Sequence, residues 1–226
     1  MTNKNVSAVF MTAGVLFCVC LILANMLETK LIQVGSIQST AGILVFPITY
    51  ILNDCIAEVW GYARARFIIW LGFLMNFFVV GMGKIATFLP AAHYFEHEAS
   101  FDYVFGAMPR IALASFIAFL VGSFLNAYVM SRMKVASKGK NFELRAVVST
   151  LVGESADSMI FFPIAFAGIV PAKDLLILIA TQAAMKTAYE VLVLPLTVRI
   201  VKKVKEWDNS DAFDKDISYN IFNFKI

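Results

Sequence analysis

Six apolar runs divide the chain, over residues 6–27, 41–63, 66–88, 109–131, 146–170 and 174–199. Each is near the roughly 20 residues that a helix needs to cross a bilayer, so the pattern predicts six membrane-spanning helices. Three of the runs are interrupted by polar residues at helical spacing. In the second, FPITYILNDCIAEVWGYARAR, Asn53 and Asp54 stand midway and Glu58 follows one turn on. The fifth, STLVGESADSMIFF, carries Glu154 and Asp157, and the sixth carries Gln182, Lys186 and Glu190 in successive i, i+4 steps. Residues three or four apart share a helix face, so each of these helices has one polar stripe. Pro47, Pro163 and Pro195 fall in the same three runs and mark potential kinks, where freed backbone carbonyls can serve a wet interior.

Composition identifies the medium. Of 226 residues 60% are hydrophobic and 15% charged, and the mean hydropathy is +0.76, outside the range of soluble domains. The expected fold is an all-α integral membrane protein, with six transmembrane helices in one bundle over residues 1–207. Residues 208–226 are expected to form a short cytoplasmic tail that docks locally or stays mobile. A separate soluble catalytic domain does not fit. The first run lacks a small-residue cleavage site and reads as a retained span. Cys18, Cys20 and Cys55 all fall within spans and read as packing residues.

Orientation follows from the basic residues, which collect on the cytoplasmic side of membrane proteins. Arg64 and Arg66 follow the second run, Arg132, Lys134, Lys138, Lys140 and Arg145 separate the fourth from the fifth, and Arg199, Lys202, Lys203 and Lys205 end the sixth. All three groups lie on one side, and both termini are therefore expected to be cytoplasmic. At 1.5 Å per residue, Asn53, Asp54, Asp157 and Lys186 then fall near the midplane, with Glu58, Glu154 and Glu190 nearer the cytoplasm.

An ionised side chain at the centre of a span costs about 2.5 to 3.5 kcal/mol, so the stripes are expected to face each other or a polar cavity. Asp54, Glu58, Glu154, Asp157 and Glu190 oppose the single cation Lys186, which pairing alone does not neutralise. The excess calls for protons, water or a solute rich in hydrogen-bond donors. Lys186 is expected to pair with Glu190 on its own helix or with Asp157 across the interface. HYFEH, residues 93–97, has the His-x-x-Glu-His order of a zinc peptidase class but sits in a short connection without a third ligand, and reads as a solvated acidic loop. GMGK, residues 81–84, lacks the first glycine of a phosphate loop, and its glycines read as packing positions. No cofactor, metal or catalytic residue is expected.

The stretches FPITYILNDCIAEVWGYARAR, RAVVSTLVGESADSMIFFPIAF and KTAYEVLVLP resemble the queuosine precursor transporter family of bacterial inner-membrane proteins, which is grouped with vitamin uptake transporters. The resemblance covers roughly residues 10–200 and stops before the tail. It implies a six-helix importer of 7-deazaguanine bases, such as the 7-cyano or 7-aminomethyl compound, for tRNA modification. On that footing Asp157 or Glu154 is the first candidate for the donor edge of the base, and Asn53, Gln182 and Lys186 can serve its carbonyl and ring nitrogen. Trp60, Phe161, Phe162 and Tyr189 are candidates for stacking, while Asp54, Glu58 and Glu190 complete the polar lining. Arg64, Arg66 and Arg145 are expected to anchor the cytoplasmic face. Two other classes stay open: a substrate-capture subunit of an energy-coupling factor system, and a membrane enzyme using Glu154 or Glu190 as general base. The expected partners are a small nucleobase-like solute and the lipid bilayer, with no nucleic acid; proton coupling and a homodimer stay open.

Overall fold

The computed structural model describes residues 6–27, 29–34, 37–106, 109–168, 171–214 and 217–223. Helix α1 (Ala8–Leu27) leads into an antiparallel hairpin of β1 (Leu31–Val34) and β2 (Ile37–Thr40), with Leu31 opposite Thr40 and Val34 opposite Ile37. A 3-10 turn over Ala41–Leu44 starts α2 (Phe46–Trp60), and α3 (Tyr62–Ala86) follows directly. A short α4 (Glu98–Gly106) precedes α5 (Pro109–Ala136), α6 (Phe142–Phe166) and α7 (Ala172–Asp208). Among the described residues six helices are long and apolar enough to cross a membrane, one for each predicted run.

The differences from the predicted pattern have physical causes. Helices α5 and α7 continue beyond the apolar runs, to Ala136 and Asp208, because backbone hydrogen bonding does not end where hydropathy falls. Pro47 does not kink a span: it stands in the first turn of α2, where its missing N–H would have had no partner in any case. Pro163 and Pro195 do lie inside α6 and α7. The glycines of GMGK divide, since Gly83 faces the Phe105 ring of α4 whereas Gly81 meets nothing and is not a packing contact.

Helix α2 is the centre of the bundle. Twelve of its 15 residues are buried, and the other three, Ile48, Ile51 and Leu52, share one half-buried apolar face. Phe46 and Tyr50 of α2 join Phe17 of α1 and Phe119 of α5 in a ring cluster with centroids 5.5 to 6.1 Å apart, a spacing typical of edge-to-face contacts. By contrast α3 exposes Leu74, Phe77, Phe78 and Met82 along one side, the pattern of a lipid-facing helix. Phe10 of α1 packs 5.2 Å from Trp60, whose indole donates to Asp208 at 2.5 Å. The start of α1 and the end of α7 therefore flank the α2–α3 turn, at the end of the bundle that carries the basic residues.

Helices α5 and α6 cross through Gly122 and Gly153. A Cβ on Gly122 would lie 2.8 Å from the Gly153 carbonyl, and one on Gly153 would lie 2.9 Å from the Gly122 carbonyl and from Asn126 Cβ. Without hydrophobic driving force inside a membrane, such close backbone approach is what helix association rests on. Gly153→Ala should therefore cost about 1 to 3 kcal/mol through overpacking. The melting temperature in detergent checks this, and an unchanged value would show that the crossing is loose.

Candidate functional site

Two buried polar clusters lie along α2. In the interior cluster, Lys186 of α7 donates to Asp157 Oδ2 of α6 at 2.8 Å and stands 3.0 Å from Glu154 Oε2. Neither Glu154 oxygen lies in hydrogen-bond geometry with a protein donor, so Glu154 has a counter-charge without a directed bond. The Lys186 ammonium also sits over the face of Phe46, 3.9 Å from its centroid, a favourable place for a desolvated cation.

Across from this group Asn126 of α5 donates to Asp54 Oδ1 at 2.7 Å, and Asn53 donates to the Ser123 carbonyl at 3.3 Å. Because Asn126 gives its amide N–H to Asp54, its oxygen is left as an acceptor, and that oxygen has no protein partner. Asp54 Oδ2 and Glu190 Oε2 likewise lack a protein donor, and the two carboxyl groups face each other. Tyr50 Oη and Ser158 Oγ are also buried without protein partners. Buried polar atoms are seldom left unpaired, so their gathering on α2, α5, α6 and α7 sets this region apart.

The second cluster lies toward the basic end and centres on Glu58. Its Oε2 is paired with Arg145, its Oε1 with Lys205 at 2.6 Å and with Lys134 at 3.5 Å. Lys134 also donates to the Glu58 carbonyl, and both lysines reach Asp211 beyond α7, at 2.6 and 3.0 Å. Burial pushes the Asp211 carboxyl up, but hydrogen bonds from Lys134 and Lys205 outweigh it and hold the group below its ordinary range.

Several sequence expectations change here. Arg145 is not a surface anchor; it is 1% exposed and is the ion-pair partner of Glu58. Lys134, placed in a loop by hydropathy, is in the last turns of α5 and equally buried. Glu58 is thereby neutralised, which leaves four carboxyls against Lys186 in the interior cluster instead of five. Lys186 takes Asp157, one of its two expected partners, together with Glu154, while Glu190 turns to Asp54. Trp60 is a packing residue between α1 and the end of α7. Phe161 and Phe162 form an edge-to-face pair at 5.1 Å, and Gln182 and Tyr189 are half-buried on α7. Asn126, Tyr50 and Phe46 were not foreseen; a lone Asn within an apolar span was the available signal.

A bundle of six membrane-spanning helices that buries an under-neutralised layer of carboxyls is the build of a polytopic membrane transporter. The chain matches the family model described as "Putative vitamin uptake transporter" over residues 40–200, and it belongs to that family. It is similar to a "Probable queuosine precursor transporter" of Bacillus subtilis (strain 168), 30% identical over 83% of this chain and 82% of the relative. A protein of the same name from Haemophilus influenzae is 32% identical over 58% of this chain and 53% of the relative. The "Queuosine precursor transporter" of Escherichia coli (strain K12) is 28% identical over 63% and 62%. No solved structure matches significantly. The protein is thus a multi-pass bacterial inner-membrane transporter, not an enzyme.

The pairing pattern makes two expectations specific. Lys186→Met leaves Asp157 and Glu154 without their cation, a loss on the order of 3 to 5 kcal/mol for a broken buried pair. Adding Asp157→Asn should recover part of the melting temperature, whereas adding Glu190→Gln should not, because Glu190 does not touch Lys186. At Asp211 the folded-state value is lowered, so its contribution is full above the ordinary carboxyl value of about 3.9 and is lost as pH falls toward the lowered one. Acid melting curves of the wild type and Asp211→Asn should therefore converge below that point.

Proposed function

We propose that this protein imports queuosine precursors, 7-deazaguanine bases such as the 7-cyano or 7-aminomethyl compound, with the basic end of the bundle facing the cytoplasm. The observation that carries the reading is the surplus of buried acceptors in the interior cluster: Asn126 Oδ1, Asp54 Oδ2, Glu190 Oε2 and Glu154 Oε1 have no protein donor, and Glu154 Oε2 has only the Lys186 ammonium beside it. A guanine-like base offers a ring N–H beside an exocyclic amine, two donors that one carboxylate accepts together. The names of the relatives point to the same cargo. Glu154 or Asp157 is the residue for the donor edge, and Asn126, held by Asp54, adds an acceptor beside it.

The facing carboxyls of Asp54 and Glu190 support proton coupling as part of the same reading. Two facing carboxyls, each with an oxygen that no protein donor reaches, are reconciled by one proton held between them, and a group that holds a proton in a membrane interior can hand it on. Importing alone, without an ATPase module, follows if that proton supplies the driving force.

The test is uptake of radiolabelled 7-cyano-7-deazaguanine into vesicles containing only this protein. Wild type should accumulate it and be competed by the aminomethyl compound, and Asp157→Asn should lower binding by about 1 to 3 kcal/mol. Glu190→Gln should exchange label down a gradient but no longer respond to an imposed pH difference. Absence of uptake by wild type in the presence of either gradient would remove the reading.

A further inference from the structure

The polypeptide beyond α7 lies outside the family match, which ends at residue 200, yet it engages the basic end of the bundle at every described step. Asn209 ends α7 in the left-handed conformation, with φ of 46°, and turns the chain back. Ala212 N–H then donates to the Val59 carbonyl in the last turn of α2 at 3.0 Å. Asp214 accepts the Tyr62 N–H with both oxygens, at 3.1 and 3.0 Å, and takes the Ser131 hydroxyl of α5. Further on, Arg66 donates to the carbonyls of Ser218 and Asn220 at 2.8 and 3.0 Å, and Trp70 donates to that of Ile221 at 2.9 Å.

The Asp214 contact is a helix cap delivered from a distance. Helix α3 begins after Gly61, which has no side chain to accept the first free N–H groups, so a carboxylate 152 residues away does so. Gly61 at φ of 87° also provides the room: a Cβ there would stand 2.7 Å from Asp214 Oδ1. A carboxylate is favoured at that place by the helix dipole as well.

From this arrangement we infer that residues 209–214 and 217–223 form a releasable strap that keeps the basic end of the bundle shut, and that the interior carboxyl layer opens to that side when the strap lifts. The inference rests on the transporter reading. What makes the strap releasable is the way charge is shared: Asp211 is a second anion on Lys134 and Lys205, and both lysines keep Glu58 when Asp211 leaves. Lifting the strap therefore leaves Lys134 and Lys205 with an anion, Arg66 exchanges the Ser218 and Asn220 carbonyls for water, and Asp211, 48% exposed, moves into water at little cost. Separating Arg145 from Glu58, both 1% exposed, would instead leave a buried guanidinium without its counter-charge. Glu58 lies one turn from Asp54 on α2, so the strap and the Glu58 cluster are consecutive barriers between that carboxyl and the basic end.

The test labels a cysteine placed between the two clusters. In a chain with Cys18, Cys20 and Cys55 replaced by serine, Ser149→Cys puts a thiol at a fully buried position of α6, one turn from Arg145. A membrane-impermeant methanethiosulfonate is applied to inside-out and to right-side-out vesicles. With Asp211→Asn plus Asp214→Asn, or with the chain ended after Asn209, labelling from the basic end should speed up roughly tenfold while labelling from the other end is unchanged. In a Trp207→Phe background, acrylamide quenching of Trp60 and Trp70 reports independently that the strap has lifted, and circular dichroism that the helices remain. Lifted strap with an unchanged labelling rate overturns the inference; so does acceleration from both ends, which would mean a loosened bundle. Should the shortened chain not fold, the double point variant decides between these outcomes. The labelling uses no solute, so a failure of 7-cyano-7-deazaguanine uptake would count against the proposed cargo and leave this result standing.

Discussion

Carboxyl groups buried on the central helix are the constraint from which the arrangement of this bundle follows. Helix α2 has twelve of its 15 residues buried and carries Asn53, Asp54 and Glu58 inward. At a cost of about 2.5 to 3.5 kcal/mol for each charge carried into an apolar interior, neighbouring helices must supply partners for them. Helix α5 answers with the Ser123 carbonyl, Asn126 and Lys134, α6 with Arg145, and α7 with Glu190 and Lys205. The Gly122–Gly153 crossing supports the same end, because close approach of α5 and α6 brings Asn126 and Glu154 to one layer.

The two clusters differ in the quality of that answer. Around Glu58 and Asp211 three cations meet two anions with directed bonds, the composition of a lock. Around Lys186 one cation meets four carboxyls, several of whose oxygens have no protein donor. A satisfied network fixes a structure, whereas an unsatisfied one at low dielectric is where added protons or donors have most effect. On the proposed reading, function belongs to the second cluster and closure to the first, although both stem from residues one turn apart on the same helix.

Much of this was legible in the amino-acid sequence because the responsible forces act locally. Apolar length marked all six spans, and ionisable residues at i, i+4 steps marked the polar stripes of α2, α6 and α7. Partner choice was not legible, since it depends on how each helix is rotated about its axis. A basic residue at a span end reads equally well as a sidedness signal or as a buried ion-pair partner, and Arg145 and Lys134 proved to be the latter. Asn126 was passed over because one amide in an apolar run has no periodicity. The hairpin was missed although LIQVGSIQST carries a Gly-Ser pair between two short runs, since strands of four residues leave too little alternation to stand out between long apolar helices. For the tail, composition left docking and mobility equally open; the deciding feature was Gly61, whose bare backbone only the folded chain brings beneath Asp214.

The unpaired acceptors also bear on how binding and closure connect. Each buried polar atom without a partner costs about 1 to 3 kcal/mol, so on the proposed reading an interior layer that meets its own needs incompletely is held shut by something else. The Glu58 lock and the strap, both satisfied and both at the basic end, are placed to hold it. A solute that brings donors removes the cost in the sealed form and not in one open to water, where hydration already meets the need. It therefore favours sealing by its difference in affinity for the two forms. On the same reading, release toward the basic end needs a separate event at the lock, and Asp211, shared with lysines that keep another anion, is the contact there that breaks at least cost.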